Sequence, residues 1–486
     1  MIIENFADFI ITLKYSKISK KVINNGKLLF LDYLGNTFRG MEEESTQIAI
    51  KTINELNQYT SSHKSNNAQN NDYIIFNETK NPINRGFING IASHTLDLDD
   101  GHSLGQIHPG STVFSTAIAI SEFKNRNGEE FLEAIVGGYE IAIVLSILAN
   151  PEHRNQGFHS TGTIGTIAAG ATAGKLLKLN KKQMINCLGL CGTTAAGLLE
   201  SDHGGSMGKA LHAGNAVSNG IKCGFLAKKG FTGVESIIDG NEGFLKAMSI
   251  KSYENIKNFN DIEEKTNKTE KDLNSYLSNN LGKFHINDVY LKKYPVCRHL
   301  HSSIESSIEI FNEINRNTEE YYKSIKNIDK IIVKTYKIAS QHNNYTPKNK
   351  EELRQSLAYS IAISLLFGDL NINLITKTIN TGYEINNEIN NEINNILSKI
   401  IIVEDENLNK LYPKRPSKVI LKFKNGKTIE KMTLNPKGEG KNKFNKNDIL
   451  DKFKTLNPQY NIDKLKIIEN IEDYEIYDFM KIINSK

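Results

Sequence analysis

This sequence predicts a mainly α-helical protein, with a large all-helical domain and a smaller α+β domain. Three observations carry that reading. Apolar residues recur at helical spacing over residues 1–60. Glycine and alanine recur at helical spacing from Ser111 to Met248. Beyond Ser278 the period drops to two, and two alternating runs flank Asn425-Gly426. A chain of 486 residues makes two domains the starting expectation. Composition shifts at Asn255–Ser278, which is charged and Asn-rich, and the first boundary falls there. The expected division is residues 1–265, completed by a helical tail over 441–486, against residues 276–440.

Taken in order, Phe6, Phe9, Ile10 and Leu13, then Val22, Leu28, Leu31 and Leu34, mark the first helices. A polar loop follows at about residues 61–71, and a helix over Asn84–His94 leads into HTLDLDDGHSLGQIHPG, residues 94–110. Glycines and Pro109 suit a loop that turns back on itself. Ser111 is the expected N-cap of the helix that resumes there. The run TGTIGTIAAGATAGKLLKL (161–179) spaces small residues so that helix backbones approach closely. It lacks both a Walker A pattern and a strand-led Rossmann fingerprint, so packing explains it better than nucleotide binding. Strands are expected over Ile328–Tyr336, Ile400–Val403 and a hairpin at 418–434, with an amphipathic helix in the low-complexity run 381–397.

Composition excludes several function classes. A net charge of +5 from 60 basic and 55 acidic residues includes no long basic run, which argues against nucleic acid. The cysteines Cys187, Cys191, Cys223 and Cys297 show no CxxC spacing, so buried free thiols are expected and no metal site is. The span Phe131–Ala149 is interrupted by Glu133 and Glu140 and reads as a buried helix, not a membrane span. The first residues carry acids early and lack a signal-peptide pattern, so the expectation is a soluble cytoplasmic protein.

Five stretches carry residues fit for chemistry. The 94–110 loop offers Asp97, His102 and His108; its plain alternative is a solvated surface loop. GFHSTGT (157–163) puts His159 at the mouth of a helix, where free N–H groups favour an anion; otherwise it is a surface histidine. SDHGGSMGKALHAGNA (201–216) puts Lys209 and His212 near a helix start, with Lys209 as a carboxylate partner or a solvated lysine. KKYPVCRHLHSS (292–303) gathers Lys292, Cys297, Arg298 and His301, as a site or as a basic turn. In RQSLAYSIAISLLFG (354–368) spacing alone assigns Tyr359 to the core.

In order, INGIASHTLDLDDGH…HPG, GFHSTGTIGTIAAGATAGKLL, GGSMGKALHAGNAVSNG, GFTG, YPVCRHLHSSIES and RQSLAYSIA resemble the MmgE/PrpD family, which includes 2-methylcitrate dehydratase, cis-aconitate decarboxylase and iminodisuccinate epimerase. The resemblance implies a helical domain with an α+β lid, a homodimer, no metal or organic cofactor, and a di- or tricarboxylate held between the domains. By motif it makes Asp97, His108, His159, Lys209 and Tyr359 the catalytic candidates. Lys292, Arg298, His301, Cys297, His102 and His212 become substrate-contacting candidates. Two positions depart from the family pattern: Gly101 stands where DFDDT-type stretches have threonine, and Pro295-Val296-Cys297 replaces PA-H or PA-E.

Dehydration, decarboxylation and epimerisation of such acids all move a proton at carbon beside a carboxylate. Histidines can carry that proton, and lysine or arginine can neutralise the charge that develops. The expected activity is a carbon–oxygen or carbon–carbon lyase with His108 and His159 as acid and base, Lys209 as carboxylate clamp and Asp97 tuning a histidine. An epimerase of a dicarboxylate and a non-catalytic carboxylate-binding protein are the alternatives.

Overall fold

Helices form wherever the apolar period and a capping residue agree. In α1 (Ile2–Thr12), Ile2, Ile3, Phe6, Ala7 and Ile10 are buried on one face. Next come α2 (Lys20–Gly40), begun by Ser19, whose hydroxyl accepts from the Val22 N–H, and α3 (Glu44–Thr60). Asn81 caps α4 (Pro82–His94), with proline in its first turn. Then follow α5 (Pro109–Lys124), α6 (Gly128–Ala149), α7 (Ser160–Leu176), α8 (Lys181–Thr194) and α9 (Gly208–Lys228). Both α6 and α8 open with reciprocal capping boxes, Asn127/Glu130 and Asn180/Gln183. This computed structural model describes residues 1–60, 81–251, 276–314, 325–381, 388–411 and 413–485. The expected loop at 61–71, the 255–275 part of the composition shift and residues 382–387 lie outside the described residues.

The small residues of α7 and α9 do what their spacing suggested. A Cβ added at Gly220 would lie 2.5 Å from the Cβ of Ala169, and one at Gly170 would lie 2.2 Å from the Cys191 sulfur. The same Cβ at Gly220 would lie 2.7 Å from the backbone nitrogen of Gly170, so α9 meets the α7 backbone at a distance that only glycine allows, while Gly170 makes room for Cys191 of α8. Cys187, Cys191, Cys223 and Cys297 are all free, the first three fully buried. The membrane-length apolar helix α6 is buried along most of its course. Its Glu140 has no exposed surface and accepts the N–H groups of Gly282, Phe284 and His285 at 2.8, 3.0 and 2.7 Å.

One expectation is corrected here. The helix after the loop starts at Pro109, flanked by His108, and not at Ser111. Proline needs no N–H in the first turn and its φ is already helical. Ser111 instead donates its hydroxyl to the His108 carbonyl at 3.1 Å.

A second apolar cluster, separate from the first, is built on a four-stranded sheet of order β2-β1-β3-β4. The strands are β1 (Ile328–Thr335), β2 (Ile400–Glu404), β3 (Ser417–Phe423) and β4 (Thr428–Thr433). β1 pairs parallel with β2 and antiparallel with β3, placing Val333 opposite Val419. In the β3–β4 hairpin the Gly426 N–H donates to the Phe423 carbonyl at 2.9 Å, and Gly426 has φ +83°. The turn is therefore a three-residue loop closed by a left-handed glycine. α10 (His301–Ile314) lies against this sheet, stitched by Ser303 to Ser417 at 2.7 Å and by Ser306 to Thr433 at 2.9 Å. α11 (Leu357–Phe367), α12 (Ile372–Thr381) and α13 (Glu388–Leu397) complete this part. The chain then returns to the first cluster through α14 (Lys446–Leu456) and α15 (Ile476–Asn484), which bury Ile449, Phe453, Phe479 and Met480 there.

Candidate active site

The loop between α4 and α5 is fixed by its own polar groups. Its N–H and C=O at Gly101 exchange hydrogen bonds with Tyr290 at 3.0 and 2.8 Å, tying it to the chain that leads into the second cluster. From behind, Lys452 of α14 donates to the Leu98 carbonyl at 2.9 Å and to Asp32 at 2.6 Å. Asp100 accepts from the Tyr139 hydroxyl at 2.6 Å and from the Gly110 N–H at 3.0 Å. Burial pushes the Asp100 carboxyl up to about 7 despite the Tyr139 bond, with the nearby Asp99 charge adding to the rise.

Asp97 is the centre. Its backbone is left-handed at φ +52°, a strained state for a non-glycine residue. Lys292 holds it there, binding both its carboxylate and its carbonyl, the latter at 3.0 Å. Lys209, from the first turn of α9, reaches the same carboxylate oxygen at 2.9 Å, and Gln355 reaches the other at 3.3 Å. Burial alone would raise the Asp97 carboxyl; the two ammonium groups overcome it and hold it well below the usual range. Burial likewise opposes the charge on Lys209, but Asp202 at 3.6 Å and Asp97 keep its ammonium raised above the ordinary value.

Four imidazoles gather beside this carboxylate. His94 pairs with Asp99 at 2.7 Å and stacks on His159 with ring centroids 5.6 Å apart. His108 donates Nδ1–H to the Asp100 carbonyl at 2.6 Å, which leaves its Nε2 lone pair free. Burial, then the Lys292 charge, bring the His108 imidazole down to about 3. His159 flanks the N-terminus of α7, and its Nδ1 lies 2.9 Å from Nδ1 of His212, so one of the two rings carries the shared proton. Burial and the neighbouring His94 hold His159 well below its usual range. His108 and His159 therefore stand uncharged in a cleft that carries several cations.

That cleft encloses about 650 Å³ counting its open mouth, and brings together Asp97, His108, His159, Lys209, Lys292, Cys297 and Arg298 from the residues the sequence singled out. His212 stands directly behind His159. Three others lie elsewhere. His102 is a brace inside the loop, accepting the Gly105 N–H at 3.0 Å. His301 is fully buried between Arg298 at 3.2 Å and the Val296 carbonyl at 3.3 Å. Tyr359 packs on the second apolar cluster and is not part of the cleft wall. Its segment acts instead through Gln355, on Asp97, and Arg354, which donates to the Thr95 carbonyl at 2.8 Å. His299, from the KKYPVCRHLHSS stretch, also lines the cleft, as do Arg154, Tyr290, His342 and Arg415, which carry no motif of their own. Cys297 lies 3.8 Å from His342, but burial raises its thiol, which stays protonated. Among the described residues no three His, Cys, Asp or Glu side chains are grouped to hold a metal.

Comparison with known proteins places the chain in a family. A model described as the MmgE/PrpD N-terminal domain matches residues 4–256, and one described as the MmgE/PrpD C-terminal domain matches residues 294–473. The chain is 22% identical over 448 residues to the cis-aconitate decarboxylase-like protein oryM of Aspergillus oryzae, covering 89% of this chain and 85% of that one. It is 28% identical over 251 residues to the cis-aconitate decarboxylase of Homo sapiens, covering 50% and 49%. With the cis-aconitate decarboxylase of Aspergillus terreus it shares 24% over 305 residues, covering 60% and 59%. The two domain matches run in order through most of both apolar clusters and every cleft-lining segment except Tyr290–Lys292, which lies between them, and the chain belongs to the MmgE/PrpD family.

Proposed function

We propose that this protein is a cofactor-independent lyase that removes CO₂ from a small unsaturated tricarboxylate of the cis-aconitate kind by histidine-mediated proton transfer. The observation that carries the reading is the joining of two lysines on Asp97 beside two uncharged histidines in one cleft. The names of the relatives favour decarboxylation over dehydration.

In such a step the carbon–carbon bond to the departing carboxylate breaks and its electron pair becomes a new double bond. The old double bond shifts its electrons to its far carbon, which takes one proton. Lys209 and Lys292 neutralise substrate carboxylates and oppose the charge that develops. Binding the anion raises both histidines toward protonation, so the proton enters with the substrate. His108 takes it at the free Nε2, and His159 has His212 behind it as a second carrier. A homodimer in the cytoplasm, with residues 276–440 closing as a lid over residues 1–265 and 441–486, belongs to the same proposal; the two separate apolar clusters support the division into two parts.

The test is mass spectrometry of products from cis-aconitate, 2-methylcitrate, citrate and an aspartate-derived imine. Loss of CO₂ from the first is the expected result. Loss of water from a citrate identifies a dehydratase, and solvent deuterium at constant skeleton an epimerase. Tight binding with no product refutes catalysis.

A further inference from the structure

The cations of the cleft are not equivalent. Lys209 and Lys292 share Asp97, and Arg298 has Glu439 at 3.0 Å. Arg415 makes no ion pair within 4 Å among the described residues; the Tyr290 hydroxyl and the more distant Glu439 charge are what favour its guanidinium. Only 6% of the residue is exposed, its Nη1 is buried without a hydrogen-bond acceptor, and its Nη2 makes one long bond, 3.4 Å, to the Ser103 carbonyl. The nearby Glu439 is already used, one oxygen by Arg298 and the other by the Ser103 hydroxyl. A buried guanidinium with an empty donor position is costly unless an anion completes it.

Nor is Arg415 a loose surface side chain. Its carbonyl accepts from Ser302 at 2.5 Å, the next residue's carbonyl accepts from Thr335 at 3.1 Å, and β3 begins two residues on. The guanidinium lies 5.4 Å from the Tyr290 ring centroid. Tyr290 is itself fixed to Gly101, and its hydroxyl lies 2.4 Å from where a Cβ at that glycine would stand. The planar fork of arginine suits a carboxylate held by two parallel bonds.

We propose that Arg415, laid against Tyr290, is the subsite for a substrate carboxylate remote from the reacting carbon, so that the cleft selects acids with carboxylates set apart along the chain. This rests on the carboxylate-lyase reading above and goes on to name what that cleft selects. The lysines on Asp97 face the reacting end, and Arg415 faces the far end.

The experiment is calorimetric titration of the full chain with propane-1,2,3-tricarboxylate, which cannot react, and with malonate, whose two carboxylates share one carbon and offer no far group. Arg415→Met is expected to weaken the tricarboxylate by about 30- to 1,000-fold and malonate by less than about threefold. Arg415→Lys, which keeps the charge and loses the fork, is expected to lose about tenfold on the tricarboxylate. It serves alone should the methionine variant fail to fold. Unchanged tricarboxylate binding in either variant, or equal loss for both ligands, overturns the subsite. Wild-type binding with this pattern but no turnover of any acid overturns the lyase reading and leaves the subsite standing. No binding of the tricarboxylate by the wild type overturns both.

Discussion

Substrate binding should carry a proton into the cleft, because burial and Lys292 keep His108 uncharged, near a pKa of about 3, in the free protein. A carboxylate placed about 5 Å from the ring, at an effective dielectric of about 20, is worth about 3.3 kcal/mol, or about 2.4 pKa units. One such group lifts His108 to about 5.4, and two lift it to about 7.8. The sign follows directly: the bound state holds more protons, so affinity rises as pH falls from the bound-state value toward about 3. The perturbation is binding of propane-1,2,3-tricarboxylate, and the assay is calorimetry at about pH 5.0 in buffers of different ionisation enthalpy. Wild type should take up about half a proton to one proton more than His108→Gln, and ionisation of the ligand cancels in that difference. Equal proton uptake by the two proteins would refute the assignment of His108 as the group that charges on binding.

Four further outcomes follow from the same geometry. His159→Ala should cut turnover by roughly two to four orders of magnitude if it carries the proton, and an unchanged rate removes it from the mechanism. Asp97→Asn leaves Lys209 and Lys292 without their shared counter-charge and should cost about 3–5 kcal/mol in a denaturant titration. A loss below about 1 kcal/mol would mean that water replaces the carboxylate. Tyr359→Phe should leave turnover within about threefold, since Tyr359 stands outside the cleft wall. A hundredfold drop in steady-state assays would show that the second cluster moves to bring it in. Gly101→Ala drives a methyl into the Tyr290 hydroxyl and should destabilise by about 1–3 kcal/mol. In a Tyr290→Ala background the same change should cost less than about 1 kcal/mol, and equal costs in both backgrounds would refute the clash.

What could be read from the sequence was whatever has a period or a fixed local spacing. The helix-spaced glycines of α7 and α9, the alternating runs of β3 and β4 and the Asn425-Gly426 turn declare themselves within a few residues. Asp97, His108, His159 and Lys209 were found because acid, imidazole and glycine cluster on loops and helix starts. The start of α5 was misplaced because Pro109 competes with Ser111 for the first turn, and proline's fixed φ decides it. Tyr359 became a candidate only through the family motif, since its spacing assigns it to the core, whereas the glutamine that reaches Asp97 sits unremarked before the cap. Arg415 lies in a short lead-in to β3, where no pattern separates a buried guanidinium from an exposed one.

The charge distribution of the cleft explains why its parts come from so many places. Asp97 alone cannot neutralise Lys209, Lys292 and the arginines beyond them, and Asp202 and Glu439 are each engaged locally. Burial first, and then the Lys292 charge beside His108 and the His94 ring beside His159, keep both histidines uncharged, which costs the free protein little because neutral imidazole is the easier form to bury. An incoming polycarboxylate then reverses both conditions at once: it supplies the missing anions and makes protonated histidine the favoured state. A monoanion could pair with one cation but would leave the histidines below their useful range. The same electrostatics that select a substrate with several carboxylates thus charge the acid only when that substrate is present.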